Sequence, residues 1–280
     1  MAITSFKNKT VIITGASAGV GAACATLFAE LGANLVLVAR GEKALTEFAD
    51  SLVSDCFAKD KILSMALDVS NEANCRQLVE AAKDRFGSID CLINNAGAHY
   101  RGNFSDQEPA KMVNMVDINL RTPILLTGMV LPEMIKAGEG AVVMVGSLAG
   151  RMPMQGASTY ASTKAGLRAF AYSLADEVQG LGVSVGVVSP GPIDTGFIMD
   201  HIDEVEDIVY SQPMSTTVQV AQAILQVALG KEVEVALPKA SGLLTNIGYL
   251  FPWFRRKVRP SLYAKGRKNK EKYRRDNGTL

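Results

Sequence analysis

Lys9-Thr-Val-Ile-Ile-Thr14, followed at once by Gly15-Ala-Ser-Ala-Gly19-Val-Gly21 and then by the alanine-rich run 22–31, decides the fold of this chain. The first piece is a short apolar, β-branched run, the signature of a buried strand. The last piece has helical composition. Strand, glycine turn and helix together are the context in which a glycine motif holds a pyrophosphate. The glycines let the backbone turn tightly and approach the anion. The helix N-terminus then meets it with free N–H groups and the positive end of the dipole. The spacing is Gly-x-x-x-Gly-x-Gly rather than Gly-x-Gly-x-x-Gly, so a glycine turn without a ligand is the competing reading.

The alternation continues along the chain. Apolar strand-like runs occur at 10–14, 34–39, 62–67, 89–93, 141–146, 183–189 and 233–237, with helical patterns between them at 20–31, 42–56, 72–86, 109–136, 158–179 and 217–229. Strands that are continuous apolar runs, each followed by a helix, belong to a parallel sheet covered on both faces. The expected fold is α/β, a doubly wound parallel sheet (Rossmann fold), as one domain over residues 1–237 with an extension over 238–280. The stretch 192–216 has no strong period and is expected to be a mobile segment over the open end of the sheet.

The totals fit this reading. Half of the 280 residues are apolar, enough for one large domain. Strand one begins near residue 9, which leaves no room for an apolar targeting segment, and no apolar run approaches the ~20 residues that span a bilayer. Cys24, Cys56, Cys75 and Cys91 lack Cys-x-x-Cys spacing and have no His cluster beside them, so no metal site is expected. They read as reduced, packed thiols of a cytoplasmic protein. Charge is unevenly spread: residues 1–250 carry 18 Lys+Arg against 26 Asp+Glu, and residues 251–280 carry 11 against 2.

Tyr160 and Lys164 stand four residues apart in Ser158-Thr-Tyr-Ala-Ser-Thr-Lys-Ala-Gly166. On a helix they share one face. An ammonium beside a phenol favours the phenolate and is expected to lower the tyrosine pKa, giving an acid/base group for neutral pH.

With Thr14-Gly-Ala-Ser-Ala-Gly-Val-Gly21, Asn94-Asn-Ala-Gly97, Asn119, Ser147, Tyr160-Ala-Ser-Thr-Lys164 and Pro190-Gly-Pro-Ile-Asp-Thr195 in this order, residues 7–235 resemble the short-chain dehydrogenase/reductase family, in its shorter, single-domain branch. The resemblance implies a catalytic set of Ser147, Tyr160, Lys164 and Asn119. Tyr160 would be the acid in carbonyl reduction and the base in alcohol oxidation. Lys164 would tune it and bind the nicotinamide ribose, Ser147 would hold the substrate oxygen, and Asn119 would support a water chain from Lys164. It further implies cofactor contacts from Gly15, Ser17, Gly19, Val20 and Gly21 at the glycine turn. Asp68 and Val69 would contact the adenine, and Asn94 and Gly97 would contact the cofactor, with Asn95 bracing the strands. Pro190, Ile193 and Thr195 would lie near the nicotinamide. Relatives pair through helices such as those over 109–136 and 158–179, which implies a homodimer or homotetramer. Relatives without turnover lose the tyrosine or the lysine. Both are kept here, so the alternative of a non-catalytic NADP-binding regulator or scaffold ranks below an enzyme.

The end of strand two reads Leu37-Val-Ala39-Arg40. The acid that binds the adenosine ribose of NAD in this fold is missing, and a guanidinium can pair with a 2′-phosphate through two bonds. NADP(H) is therefore the expected cofactor. The pocket candidates, Ala98-His-Tyr-Arg101, Arg151-Met-Pro-Met154 and Phe197-Ile-Met199, read as apolar and adaptable. They point to a small hydrophobic ketone, aldehyde or alcohol. Arg101 and Arg151 are expected on the solvated surface, His99 in the pocket and His201 exposed.

The tail departs from the family. Its apolar stretch 240–254 ends in Phe251-Pro-Trp-Phe254 and is followed by Arg255-Arg-Lys257. One reading of 240–275 is peripheral contact with an anionic membrane surface. The favoured one is an extension that packs Leu243 to Phe254 over the pocket or a partner subunit and trails a solvated charged helix. A basic run alone is poor evidence for nucleic acid, and no nucleic-acid partner is expected.

Overall fold

The seven apolar runs become seven strands: β1 (Thr10–Thr14), β2 (Asn34–Ala39), β3 (Ile62–Ala66), β4 (Cys91–Asn94), β5 (Gly140–Val145), β6 (Val183–Pro190) and β7 (Glu234–Leu237). The computed structural model describes residues 3–55, 57–195, 203 and 205–276. All neighbouring strands are parallel, in the order β3-β2-β1-β4-β5-β6-β7. β4 starts at Cys91 rather than 89, because the Asp90 carboxylate turns back to accept the amide of Thr10 at 2.8 Å. β1 lies where the strand order reverses. The crevice at the carboxyl ends of β1 and β4 is thus the switch point at which such sheets bind ligands.

Nine helices are described: α1 (Gly19–Glu30), α2 (Glu42–Ser54), α3 (Glu72–Phe86), α4 (Pro109–Val116), α5 (Thr122–Ala137), α6 (Ser158–Glu177), α7 (Thr217–Ala228), α8 (Lys239–Leu250) and α9 (Pro252–Asp276). Side chains alternate across the sheet with the two-residue strand period. Val11 and Ile13 enter one layer with Phe28 of α1, Leu45 of α2 and Ile224 of α7. Ile12 enters the other with Leu78 of α3, Leu126 of α5 and Leu167 of α6. Burial on both faces is why these strands read as unbroken apolar runs.

Two expectations are corrected here. The single helix over 109–136 is split by a π-turn, Asp117–Arg121, whose extra residue per turn rotates Asn119 into full burial. The tail is not a solvated helix trailing the fold. α9 lies along the described part of 192–216, which carries the 3-10 turn Asp207–Ser211. Lys270 donates to the Val205 carbonyl at 2.7 Å and faces Asp207 at 3.5 Å, Arg267 pairs with Asp207 at 3.2 Å, and the Asn269 amide donates to the Tyr210 carbonyl at 2.8 Å. Tyr263–Glu206 and Arg274–Asp203 extend the seam. Gly266 makes this approach possible, since a Cβ there would overlap the Asp207 carbonyl. The stretch Leu243 to Phe254 meets the chain through its small residues, Gly248 lying against Met152, while most of its large side chains are exposed.

Candidate active site

The glycine turn forms as its sequence dictates. Gly21 faces the turn itself, and a Cβ there would collide with the Gly15 carbonyl. Helix α1 starts at Gly19 with no side-chain cap, so its first N–H groups are available to an anion. Beside it lies a cavity of ≈ 270 Å³ whose lining includes Gly15, Ser17, Ala39, Arg40, Val69 and Gly97. A dinucleotide fits this chemistry: uncapped helix amides for the pyrophosphate and an exposed guanidinium at the end of β2. Arg40 also lies close enough to Asp68 to act on it. Burial raises the Asp68 pKa, but hydrogen bonds from Ser70 and the Arg40 charge outweigh it and hold the carboxyl below its ordinary value.

Not every implied contact is placed at the cavity. The Asn94 side chain is buried and donates to Met144 Sδ at 3.3 Å, with the Thr127 hydroxyl at 3.5 Å, so it turns into the helix layer instead. Val20 is buried in the core, which leaves only its backbone to a ligand. The Asp68 carboxylate is engaged by Ser70, leaving Val69 as the cavity wall. Asn95 braces the strands by donating to the Thr14 carbonyl at 2.9 Å. Pro190 ends β6, Ile193 bridges to Ser215, and Thr195 lies against Gly19 at the start of α1. Phe197 to Met199 and His201 lie outside the described residues, as does Cys56.

The four catalytic candidates meet at the carboxyl edge of the sheet. Ser147 follows β5 and caps the short turn Leu148–Gly150, its hydroxyl accepting from the Ala149 amide at 3.1 Å. α6 carries Tyr160 and Lys164 on one face, with the Lys164 Nζ 5.8 Å from the Tyr160 ring centroid. That nitrogen donates to the Val145 carbonyl at 2.7 Å. Asn119 accepts from the Ala98 amide at 2.8 Å and donates to the Ala98 carbonyl at 2.9 Å and the Thr163 hydroxyl at 3.2 Å. It clamps the loop after β4 to α6. His99, on that loop, stacks on Tyr160 with centroids 3.9 Å apart and planes 14° apart. Its buried Nε2 has no hydrogen-bond partner among the described residues.

The electrostatics differ from the expected lowering of the phenol. Burial penalises the phenolate and raises the Tyr160 pKa, against the opposing hydrogen bond with Ser147 and the charge of Arg101. The same burial lowers Lys164 to about 8. Burial, then the charges of Arg101 and Lys164, lowers His99 to about 3, leaving a neutral imidazole. The site therefore presents a protonated phenol, flanked by a hydroxyl and a neutral ring. This arrangement can donate a proton.

One polar cluster was not foreseen. Arg151 is not a solvated surface residue: its side chain is 9% exposed and pairs with Glu234 at 2.6 Å. Arg168 holds the same carboxylate at 2.8 Å, and Ser189 and Tyr172 donate to it at 2.7 and 2.9 Å. Arg151 also donates to Thr245, Gly242 and Asn246 of α8. The signal was an acid within the apolar run of β7, which cannot be buried without cations around it.

Residues 9–206 match the sequence model of the short chain dehydrogenase family. The ketoacyl reductase HetN of Nostoc sp. (strain PCC 7120 / SAG 25.82 / UTEX 2576) is 33% identical over 83% of this chain and 79% of its own. Dehydrogenase/reductase SDR family member 7B of Danio rerio is 31% identical over 92% and 84%. A metagenomic short-chain oxidoreductase solved in complex with NADP superposes with a TM-score of 0.70 at 27% identity, covering 84% of this chain and 98% of that one. The chain belongs to the short-chain dehydrogenase/reductase family. It is an NAD(P)-dependent oxidoreductase acting on CH–OH/C=O groups.

Proposed function

We propose that the protein is an NADPH-dependent reductase of hydrophobic ketones or aldehydes, with Tyr160 as the proton donor. The observation that carries this reading is the gathering of Ser147, Tyr160, Lys164 and Asn119 at the carboxyl edge of the sheet, with Gly97 linking Asn119 and Lys164 to the cavity under Arg40. Bound NADPH supplies the hydride. Ser147 holds the substrate oxygen, and Tyr160 gives it a proton. Protonated Lys164 replenishes that proton and stabilises the charge that develops on the phenol. Asn119 keeps the loop of Ala98 and His99 against α6, so that both faces of the site stay in register. The unpartnered His99 Nε2 offers one hydrogen bond to a polar group on an otherwise apolar substrate. Met152 and Met154, both partly buried, form an adaptable wall.

The choice of NADP(H) is supported by Arg40 at the end of β2, by the absence of an acid at Ala39, and by the NADP bound to the metagenomic relative. The test is the ratio of kcat/KM with NADPH to that with NADH. We expect a clear preference for NADPH, and Arg40→Ala should cut the NADPH value by roughly 10–100-fold, the worth of a charge-assisted contact, while sparing NADH. Equal use of the two cofactors by the unmutated protein refutes the assignment.

A further inference from the structure

Helix α8 is inside out. A surface helix normally turns its apolar stripe to the core. In α8 the buried positions are Gly242, Thr245 and Gly248, with Gly242 against Ala236 and Gly248 against Met152. Its leucines point away from the protein: Leu243, Leu244 and Leu250 are 65%, 61% and 69% exposed. Phe251 and Trp253 continue the surface. Eight of the seventeen large apolar side chains exposed among the described residues fall within 243–254, so this is a patch and not scatter.

The charged residues of the chain on either side of the patch, over 235–270, are all cations. No Asp or Glu occurs between Glu234 and Glu271. On α9, Tyr263, Gly266, Lys270 and Arg274 face Glu206, Asp207, Val205 and Asp203. By helical spacing, Lys257, Lys265 and Lys268 lie on the opposite side, and none of the three has a carboxylate within 4.0 Å among the described residues. Two occupants suit an apolar face of this kind: a second copy of the chain or a lipid surface. A two-fold contact through this patch would bring two cationic flanks to one interface with no carboxylate of 235–270 to offset them. A negatively charged bilayer surface matches both the apolar patch and the cationic flank. No helix among the described residues is long and apolar enough to cross a membrane.

We infer that the outer face of α8 and the start of α9 dock the protein on anionic membrane surfaces, with Leu243, Leu244, Leu250 and Trp253 in the interface and Lys257, Lys265 and Lys268 over the lipid phosphates. The inference stands apart from the proposed reaction, because none of these residues belongs to the catalytic cluster.

Vesicle flotation of the full chain tests it, with phosphatidylglycerol and with phosphatidylcholine vesicles, alongside sedimentation velocity. The protein should float with phosphatidylglycerol and stay at the bottom with phosphatidylcholine. The triple change Lys257→Glu, Lys265→Glu, Lys268→Glu should lower the partition coefficient by at least roughly 100-fold, from about a fivefold loss per cation. Leu244→Asp with Leu250→Asp should abolish flotation while cofactor binding and sedimentation coefficient stay unchanged. No flotation with phosphatidylglycerol overturns the inference. So does equal flotation with both lipids, or a larger species that the Leu244→Asp, Leu250→Asp variant converts to a smaller one, since a second copy would then cover the patch.

Discussion

The carboxyl edge of the sheet and the C-terminal extension are secured by opposite means. At the edge, apolar residues point inward and polar side chains are fastened one to another: Asn119 to the Ala98 backbone, Lys164 to the Val145 carbonyl, Glu234 to four donors. In the extension the large apolar residues point outward, and α9 is held by cations on Asp203 and Asp207 and by the Tyr263 phenol on Glu206. The first region is built for rigidity in a dry setting, where a misplaced polar atom is expensive. The second rests mainly on exposed ion pairs, which are individually weak and screened by salt. The contrast teaches that an apolar pattern locates a segment only when its apolar face is the one that packs on the same chain.

Four changes break or sharpen this contrast. The largest effect belongs to the edge: Tyr160→Phe should lower kcat for carbonyl reduction by about 10³-fold or more, with NADPH affinity and Tm nearly unchanged. Loss of NADPH binding would instead make Tyr160 structural. Next is Glu234→Gln. Burial alone would raise the Glu234 pKa, but its bonds to Arg168, Ser189, Arg151 and Tyr172 bring it down to about 2 from 4.5. A carboxylate with a depressed folded pKa stabilises above its unfolded value and loses that contribution as pH falls from about 5 towards 2. Urea unfolding at pH 7 should show a loss of about 3 kcal/mol in Glu234→Gln, and the parent should lose a similar amount on acidification. In the extension, Gly266→Ala should push α9 off the 205–211 segment at a local cost of about 1–3 kcal/mol, seen as faster amide exchange in 205–211 while the sheet stays protected. The smallest effect returns to the edge. Lys164, lowered to about 8 by burial, is protonated below that pH and loses its charge above it. The kcat/KM for reduction should fall about tenfold from its plateau by pH 9.

The fold was legible because the strands are buried on both faces, so their apolar runs needed no partner information. The gathering of Ser147, Tyr160, Lys164 and Asn119 was legible through a resemblance whose motifs lie at strand ends. Titration was not: the residues around Tyr160 say nothing of how dry it is, and burial outweighs the Ser147 hydrogen bond and the Arg101 charge that favour the phenolate. The π-turn at Asp117–Arg121 was hidden inside a good helical pattern. Arg151 was misread because a loop arginine looks alike whether it meets water or Glu234. The opposed charges of body and tail were visible in the sequence, but not that they meet along one face of α9.

Arg151 joins the two regions. One guanidinium reaches the last strand through Glu234 and α8 through Gly242, Thr245 and Asn246, and it leaves the same short turn that Ser147 caps. The extension is thereby a girder of the reaction chamber, and force applied to α8 from outside is borne by the turn that holds the serine hydroxyl.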